Sequence, residues 1–118
     1  MKIKTANLTR AALDWAVAKC EGYTDYCDVT DKIRTPHKNH GWVPLSDLNY
    51  STDWSQGGPI IEREKIRLDT TWNFEDGNWS ARIDSVGGWW QGDTPLVAAM
   101  RCYVVSKLGD EIEIPDGF

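Results

Sequence analysis

Hydroxyl, carboxylate, indole and amide side chains lie together in one short stretch, residues 50–56, which runs directly into two glycines and Pro59. A proline in the first turn favours the start of a helix, and the start of a helix presents backbone N–H groups that suit an anion. The stretch therefore predicts one wall of a ligand-binding site. Its candidate residues are Tyr50, Ser51, Thr52, Asp53, Trp54, Gln56, Gly57 and Gly58.

A second helix start of the same kind, residues 91–95, precedes the last long helix and adds Thr94 as a candidate. Trp89 and Trp90 come just before it and, like Trp54, are candidates for stacking on a planar base. The alternative is that these indoles only cover the edge of the core. Neither start has the Gly-Lys-Ser/Thr ending of a phosphate loop, so ordinary turn and cap roles are the competing interpretation.

Arg101 falls on the apolar side of the last helix when the sequence is drawn on a helical wheel. Its neighbours there are Val97, Val104, Val105 and Leu108. A guanidinium in such surroundings needs a partner, because a buried unpaired charge is costly. In one interpretation it clamps a phosphate or carboxylate of a ligand. In the other it forms a structural pair with Asp14, Asp53 or Glu62.

Two acidic residues near the helix starts complicate the prediction. Asp53 accepts a hydrogen bond from a ligand in one interpretation and caps its own turn in the other. Asp93 counts against an anion at the second start, because its negative charge would repel one.

Metal and catalytic chemistry receive little support. Cys20, Cys27, His37 and His40 occur in order, but structural zinc sites usually separate paired cysteines by only about two to four residues. No nucleophile elbow, paired acidic motif or His-Glu-x-x-His motif is present, although a pairing of Cys27 with either histidine stays open. We expect no metal, no cofactor and no enzymatic activity.

The composition favours one acidic globular domain. The chain has 118 residues, 41% of them hydrophobic, seven tryptophans and a formal net charge of −5, and a chain of this length normally forms a single domain. The charge argues against non-specific binding to nucleic acid, and no apolar run reaches the roughly 18 residues of a membrane span. Three cysteines without a secretory signal predict reduced thiols and an intracellular protein.

Helical periodicity predicts two main helices and a short one. The first covers residues 9–21 with Thr9 as its N-cap, the short one covers 59–65, and the last covers 95–108 with Thr94 as its N-cap. The apolar face of the first helix consists of Leu13, Ala16, Val17 and Cys20. The opposite, solvated side carries Arg10, Asp14 and Lys19.

Alternating apolar residues predict an antiparallel hairpin from residues 66–74 and 78–83. Residues 111–115 predict a final strand, residues 84–93 a glycine-rich loop, and residues 23–49 show little periodicity. The expected fold class is α+β: a small antiparallel sheet covered by two main helices, with a short third helix.

Three blocks follow one another along the chain: AALDWAVAKCEG at 11–22, YSTDW with QGGP at 50–59, and TPLVAAMRCY at 94–103. Over nearly the whole chain this order resembles the NinX-like family of small bacteriophage proteins of unknown function, and more distantly the phage ABA-sandwich domain. The resemblance implies a helix–sheet–helix layering in a single ABA-sandwich-like domain, residues 1–118. It supplies no activity and no catalytic residues.

The expected function is that of a phage accessory protein in the host cytoplasm, which binds and sequesters a small anionic ligand. A nucleotide-derived host immune signal, cyclic or linear, is the ligand class expected for this anti-defence role. The alternatives are an inhibitor or adaptor that binds a host protein through exposed tryptophans, and a small nucleotide hydrolase. We also expect a homo-oligomer, since a small domain rarely encloses a ligand alone.

Overall fold

The computed structural model describes residues 1–36, 41–70, 78–116 and 118. Three α-helices lie in these ranges: α1 (Arg10–Cys20), α2 (Trp54–Glu64) and α3 (Pro95–Leu108). The strands found there are β1 (Lys2–Lys4), β2 (Thr24–Cys27), β3 (Lys32–Arg34), β4 (Trp42–Pro44), β5 (Arg67–Thr70), β6 (Trp79–Arg82), β7 (Trp90–Gly92) and β8 (Glu111–Glu113). They form three small antiparallel sheets, which confirms the α+β class and divides the predicted sheet into three.

The sheet of β5, β6 and β7 lies against α3, which also packs on α1 and α2. β5 and β6 form the predicted antiparallel pair, with Arg67 opposite Arg82. The predicted turn and the end of the first strand, residues 71–77 with Trp72 and Phe74, lie outside the described residues. Met100, Tyr103 and the other buried residues of α3 form the centre of the core.

β7 occupies part of the segment for which a glycine-rich loop was predicted. A Cβ atom at Gly92 would lie 2.4 Å from the backbone nitrogen of Ala98 and 2.9 Å from Val97. The missing side chain therefore lets β7 lie directly against the first turns of α3. Because this close approach depends on a contact in space, it leaves no periodic pattern in the sequence from which β7 could be predicted.

α1 and α3 match their predicted bounds closely, with Thr9 and Thr94 at the N-cap positions. The predicted apolar face of α1 is buried, apart from the partly buried Cys20. The prediction of a solvated Asp14 is wrong, because this side chain is only 6% exposed. A hydrogen bond of 2.8 Å from the backbone N–H of Ser51 offsets part of the cost of burying this carboxylate.

α2 begins earlier than predicted, at Trp54, so that Gly57, Gly58 and Pro59 lie inside the helix. The Asp53 carboxylate caps this start, accepting from the backbone N–H of Ser55 at 2.9 Å and from its hydroxyl at 2.7 Å. Local glycine and proline signals predicted the wrong start, because the cap and the packing of the helix outweigh them.

The remaining strands lie in two small sheets. β2, β3 and β4 form one within the segment of weak periodicity. The other joins the two ends of the chain: β8, which confirms most of the predicted final strand, pairs with β1 so that Lys2 lies opposite Glu113. No helix in the described part of the chain is long and apolar enough to cross a membrane.

Candidate functional site

The starts of all three helices meet at one cavity of about 640 Å³, which we name the helix-start cavity. α1 contributes Arg10, α2 contributes Trp54, and the first turn of α3 contributes Leu96 and Val97. The complete lining is Thr9, Arg10, Ser51, Thr52, Trp54, Asp93, Thr94, Leu96 and Val97. The volume falls within the range of small-molecule sites in proteins.

The three helix starts differ in how their backbone N–H groups are satisfied. The Asp53 carboxylate already places a negative charge at the start of α2. At α3, the Thr94 hydroxyl accepts from the backbone N–H of Val97 at 3.1 Å. At α1, Thr9 makes no side-chain cap hydrogen bond, and the first turn holds no acidic residue. The start of α1 is therefore the one best able to receive an anion.

Arg10, the first residue of α1, adds a positive charge at this place. It is exposed and lines the helix-start cavity, and no described carboxylate forms an ion pair with it. Its φ angle of 51° lies in the left-handed region, which is uncommon for a residue other than glycine and is often found at functional sites. Sequence reasoning missed Arg10 as a site residue because its helix-face position indicated only solvent exposure.

Ser51 lies buried between the helix-start cavity and Asp14. Burial raises the pKa of the Asp14 carboxyl above its ordinary range, and the hydrogen bond from the Ser51 backbone works against this rise. The Ser51 hydroxyl is near enough to contribute to the same effect, but its geometry completes no hydrogen bond with any described residue. One wall of the cavity thus holds a buried hydroxyl whose hydrogen-bonding capacity no described residue uses.

A second cavity of about 530 Å³, which we name the tryptophan cavity, adjoins the first. The two share Thr9 and Asp93 as lining residues. The complete lining of the second is Ala6, Thr9, Asn78, Trp89, Trp90, Gln91, Gly92, Asp93 and Arg101. The fold therefore brings the stretch at residues 50–56 and the segment around Arg101 to neighbouring cavities.

Arg101 is held by backbone carbonyls. Its Nε donates to the Leu8 oxygen and its Nη1 to the Gln91 oxygen, both at 2.8 Å. The structural partner proposed from the sequence, a carboxylate of Asp14, Asp53 or Glu62, is thus replaced by main-chain oxygens. Burial lowers the pKa of Arg101, and the nearby charge of Asp93 acts in the opposite direction.

The loop tryptophans differ in exposure. Trp54 and Trp89 are 53% and 46% exposed, so a large part of each indole is open to a ligand or a partner. The Arg82 guanidinium lies 5.9 Å from the centre of the Trp89 ring, within cation–π range. Trp90 packs partly against the core, and its buried Nε1 has no hydrogen-bond partner among the described residues.

Several predicted site residues have structural contacts instead. Tyr50 is buried in the core and Asp53 caps α2. The Gln56 amide holds the preceding segment, accepting from the backbone N–H of Asn49 at 2.8 Å. Gly57 and Gly58 lie within α2. The predicted residues that do line the two cavities are Ser51, Thr52, Trp54, Trp89, Trp90, Thr94 and Arg101.

The cysteines and histidines weighed as zinc ligands, and disfavoured on their spacing, lie only partly within the described residues. Cys20, Cys27 and Cys102 are free thiols, whereas His37 and His40 lie outside the described residues. Within residues 1–36, 41–70, 78–116 and 118, no group of three metal-binding side chains occurs.

Comparison with known proteins identifies the family. No curated protein was found to match the chain. A family model described as "Bacteriophage P22, NinX" matches residues 4–107, a span that contains α1, α2, α3 up to its penultimate residue, and every residue lining the two cavities. Because the match covers most of the chain, this protein belongs to the NinX family of bacteriophage proteins.

Proposed function

We propose that this protein binds a small anionic ligand in the helix-start cavity and sequesters it inside the infected host. The observation that carries the proposal is the meeting of three helix starts in one cavity, where α1 lacks a side-chain cap and Arg10 lacks a described ionic partner. Backbone N–H groups at a helix start and a guanidinium both stabilise a phosphate or a carboxylate.

The charge of the whole chain supports a local anion site rather than a broad cationic surface. The net charge of −5 repels anions at long range, so a ligand has to be held by groups that contact it directly. The exposed indole of Trp54 on the wall of the same cavity offers a stacking surface for a planar base. A nucleotide-derived host immune signal, linear or cyclic, would supply both the phosphate and the base.

Thermal and isothermal binding measurements test the proposal. The purified protein is screened against inorganic phosphate and a panel of linear and cyclic nucleotides, where a ligand at about 100 times its Kd should stabilise it by roughly 2.7 kcal/mol. Arg10→Ala should weaken binding by about tenfold or more. Arg67→Ala is the matched control, because Arg67 is also exposed but lies on β5 and pairs with Asp84. If no nucleotide stabilises the protein, the proposal is wrong.

A second candidate function is inhibition of a host protein. Trp42, Trp54 and Trp89 are each about half exposed, and tryptophans are common anchors at protein interfaces. Capture of a host protein that Trp54→Ala abolishes, together with no nucleotide binding, would favour this function. Conversion of a nucleotide during incubation would instead favour the hydrolase alternative.

A further inference from the structure

Arg101 carries hydrogen-bonding capacity that the fold leaves unused. Its Nε and Nη1 are fixed by the carbonyl oxygens of Leu8 and Gln91, so the guanidinium has one orientation. No hydrogen bond to a described residue uses its Nη2 group. Since Arg101 lines the tryptophan cavity, a rigid donor is available there to an acceptor on a ligand.

Asp93 supplies the complementary acceptor. It lines both cavities, is exposed, and makes no hydrogen bond or ion pair with a described residue. It is near enough to act on the charge of Arg101, yet the two do not approach within the 4.0 Å of an ion pair. A donor and an acceptor therefore face the same region without neutralising each other.

Aromatic surface lies beside these two groups. Trp89 and Trp90 both line the tryptophan cavity, and a base stacks on an indole whatever its hydrogen-bonding pattern. The cavity thus combines stacking surface, a guanidinium donor and a carboxylate acceptor. Selectivity between bases then depends on which base edge matches the donor and the acceptor.

Guanine is the base that matches both. Its O6 can accept from the unused Nη2 group of Arg101, and its N1–H and N2–H₂ groups can donate to the two oxygens of a carboxylate. Adenine presents the N6–H₂ donor where guanine presents O6, and it has an acceptor at N1 where guanine has a donor. Adenine would therefore place its N6–H₂ donor against the Arg101 guanidinium and its N1 acceptor against the Asp93 carboxylate.

We infer that the tryptophan cavity binds the guanine base of a nucleotide whose phosphate lies in the adjoining helix-start cavity. This inference rests on the proposed function and gives Asp93 a role. The Asp93 carboxylate, whose negative charge disfavours an anion at the start of α3, is the group that recognises the base. The phosphate then lies toward Arg10 and the start of α1.

Titration calorimetry with the 5′-monophosphates of guanosine, inosine and adenosine tests the inference. The guanosine nucleotide should bind at least about tenfold more tightly than the adenosine nucleotide, as expected for a bidentate base contact. The inosine nucleotide, which keeps O6, N7 and N1–H but lacks the N2 amino group, should fall between them. Equal binding of all three would overturn the inference and leave the proposed function standing. No binding of these three would overturn the inference alone if another nucleotide of the panel binds, and would overturn both if none does.

An Asp93→Asn variant separates base recognition from phosphate binding. The exposed position of Asp93 tolerates the change, and the loss of negative charge should leave adenosine nucleotide binding unchanged or stronger while removing most of the guanosine preference. Asp110→Asn is the control, since Asp110 is also exposed and lines neither cavity. A guanosine preference that survives in Asp93→Asn would show that Asp93 does not read the base.

Discussion

Two carboxylates, one within α1 and one directly after it, respond to their surroundings in opposite ways. Asp14 is buried beside Ser51, and its pKa is raised. Glu21, just beyond the last turn, contacts Arg63 and Tyr103, and its pKa is lowered. Because a pKa shift between the folded and unfolded chain makes stability depend on pH, the two residues should contribute pH dependences of opposite sign.

The Asp14→Asn variant tests the raised pKa. Burial favours the protonated form of the Asp14 carboxyl, so its pKa in the folded protein is raised above the ordinary value of 3.8. The stability linked to this proton is fully present below the unfolded pKa and is lost as pH rises through the folded pKa. The free energy of unfolding of the wild type, relative to the variant, should therefore fall as pH rises above 3.8. Urea unfolding at a series of pH values measures it, and a difference that rises with pH would contradict it.

The Glu21→Gln variant tests the lowered pKa. Burial acts to raise the pKa of Glu21, but hydrogen bonds from Arg63 at 2.7 Å and Tyr103 at 2.6 Å hold it below the ordinary 4.5. The linked stability is present above pH 4.5 and is lost as pH falls through the folded pKa. The same urea series should show the advantage of the wild type shrinking toward low pH, and a constant advantage would argue against an ionised contact.

At the scale of the elements, Glu21 also belongs to a contact that joins all three helices. Arg63 on α2 donates to both carboxylate oxygens of Glu21, which follows α1, and its Nη2 also donates to the Tyr103 hydroxyl on α3. Hydrogen bonds between charged groups are among the stronger ones in proteins. The contact helps to fix the relative placement of helices whose starts form the candidate site.

The two adjacent glycines of α2 predict opposite effects of the same substitution. A Cβ at Gly57 would lie 2.4 Å from the Tyr50 carbonyl oxygen and 2.6 Å from Leu96 Cδ2, whereas at Gly58 it would meet only the Trp54 ring at 3.8 Å. Gly57→Ala should destabilise the protein by about 1–3 kcal/mol through overpacking. Gly58→Ala should stabilise it by roughly 0.5–1 kcal/mol, because alanine suits a helix better than glycine.

Chemical unfolding of the two variants measures the difference. Each loses a glycine from the same helix, so each serves as the control for the other. Equal effects would show that the contact of Gly57 with Tyr50 and Leu96 does not constrain α2.

The sequence predicted those elements whose signals are local. The bounds of α1 and α3 were predicted nearly correctly because a threonine cap and a helical period occur together in each. α2 was misplaced because the need for glycine at position 57 comes from tertiary contacts, with the Tyr50 carbonyl oxygen before the helix and with Leu96 far along the chain. The pairing of β1 with β8 joins opposite ends of the chain, and nothing within either strand specifies the partner.

The residues of the candidate site were likewise predictable only where their signals are local. Trp54, Thr94 and Arg101 were found because their residue types and local positions suggest binding chemistry, and each lines a cavity. Arg10 was missed because its significance comes from a left-handed backbone and from two other helix starts that meet it. The Thr9-Arg10 step at the start of a helix without an acidic first turn was the available signal.

At the scale of the whole molecule, the end of the chain completes the fold around its beginning. Thr5 donates from its hydroxyl to the Gly109 oxygen and from its backbone N–H to the Asp110 oxygen, both at 2.7 Å. Ile112 and Ile114 are buried. β8 lies beyond residue 107, where the family match ends, so this closure is made by a strand outside the matched segment.

A chain that ends after Leu108 tests the closure. It loses β8 and with it the burial of the Ile112 and Ile114 side chains. Because each buried isoleucine contributes about 1.5–3 kcal/mol, unfolding should occur at a markedly lower urea concentration. Glu113→Gln is the control, because it removes only the exposed contact with the Met1 amino group and should change the midpoint little. An unchanged midpoint in the shortened chain would show that the closure does not stabilise the fold.

The closure also determines how the molecule responds to force. β1 and β8 run antiparallel, with Met1 beside Ile114, so both chain ends leave from the same end of the ladder. A pull on the two ends therefore loads the hydrogen bonds one at a time, as in a zipper, instead of shearing them together. Under tension the ladder should open at low force from Met1 toward Thr5, before α3 and the sheet of β5, β6 and β7 bear load.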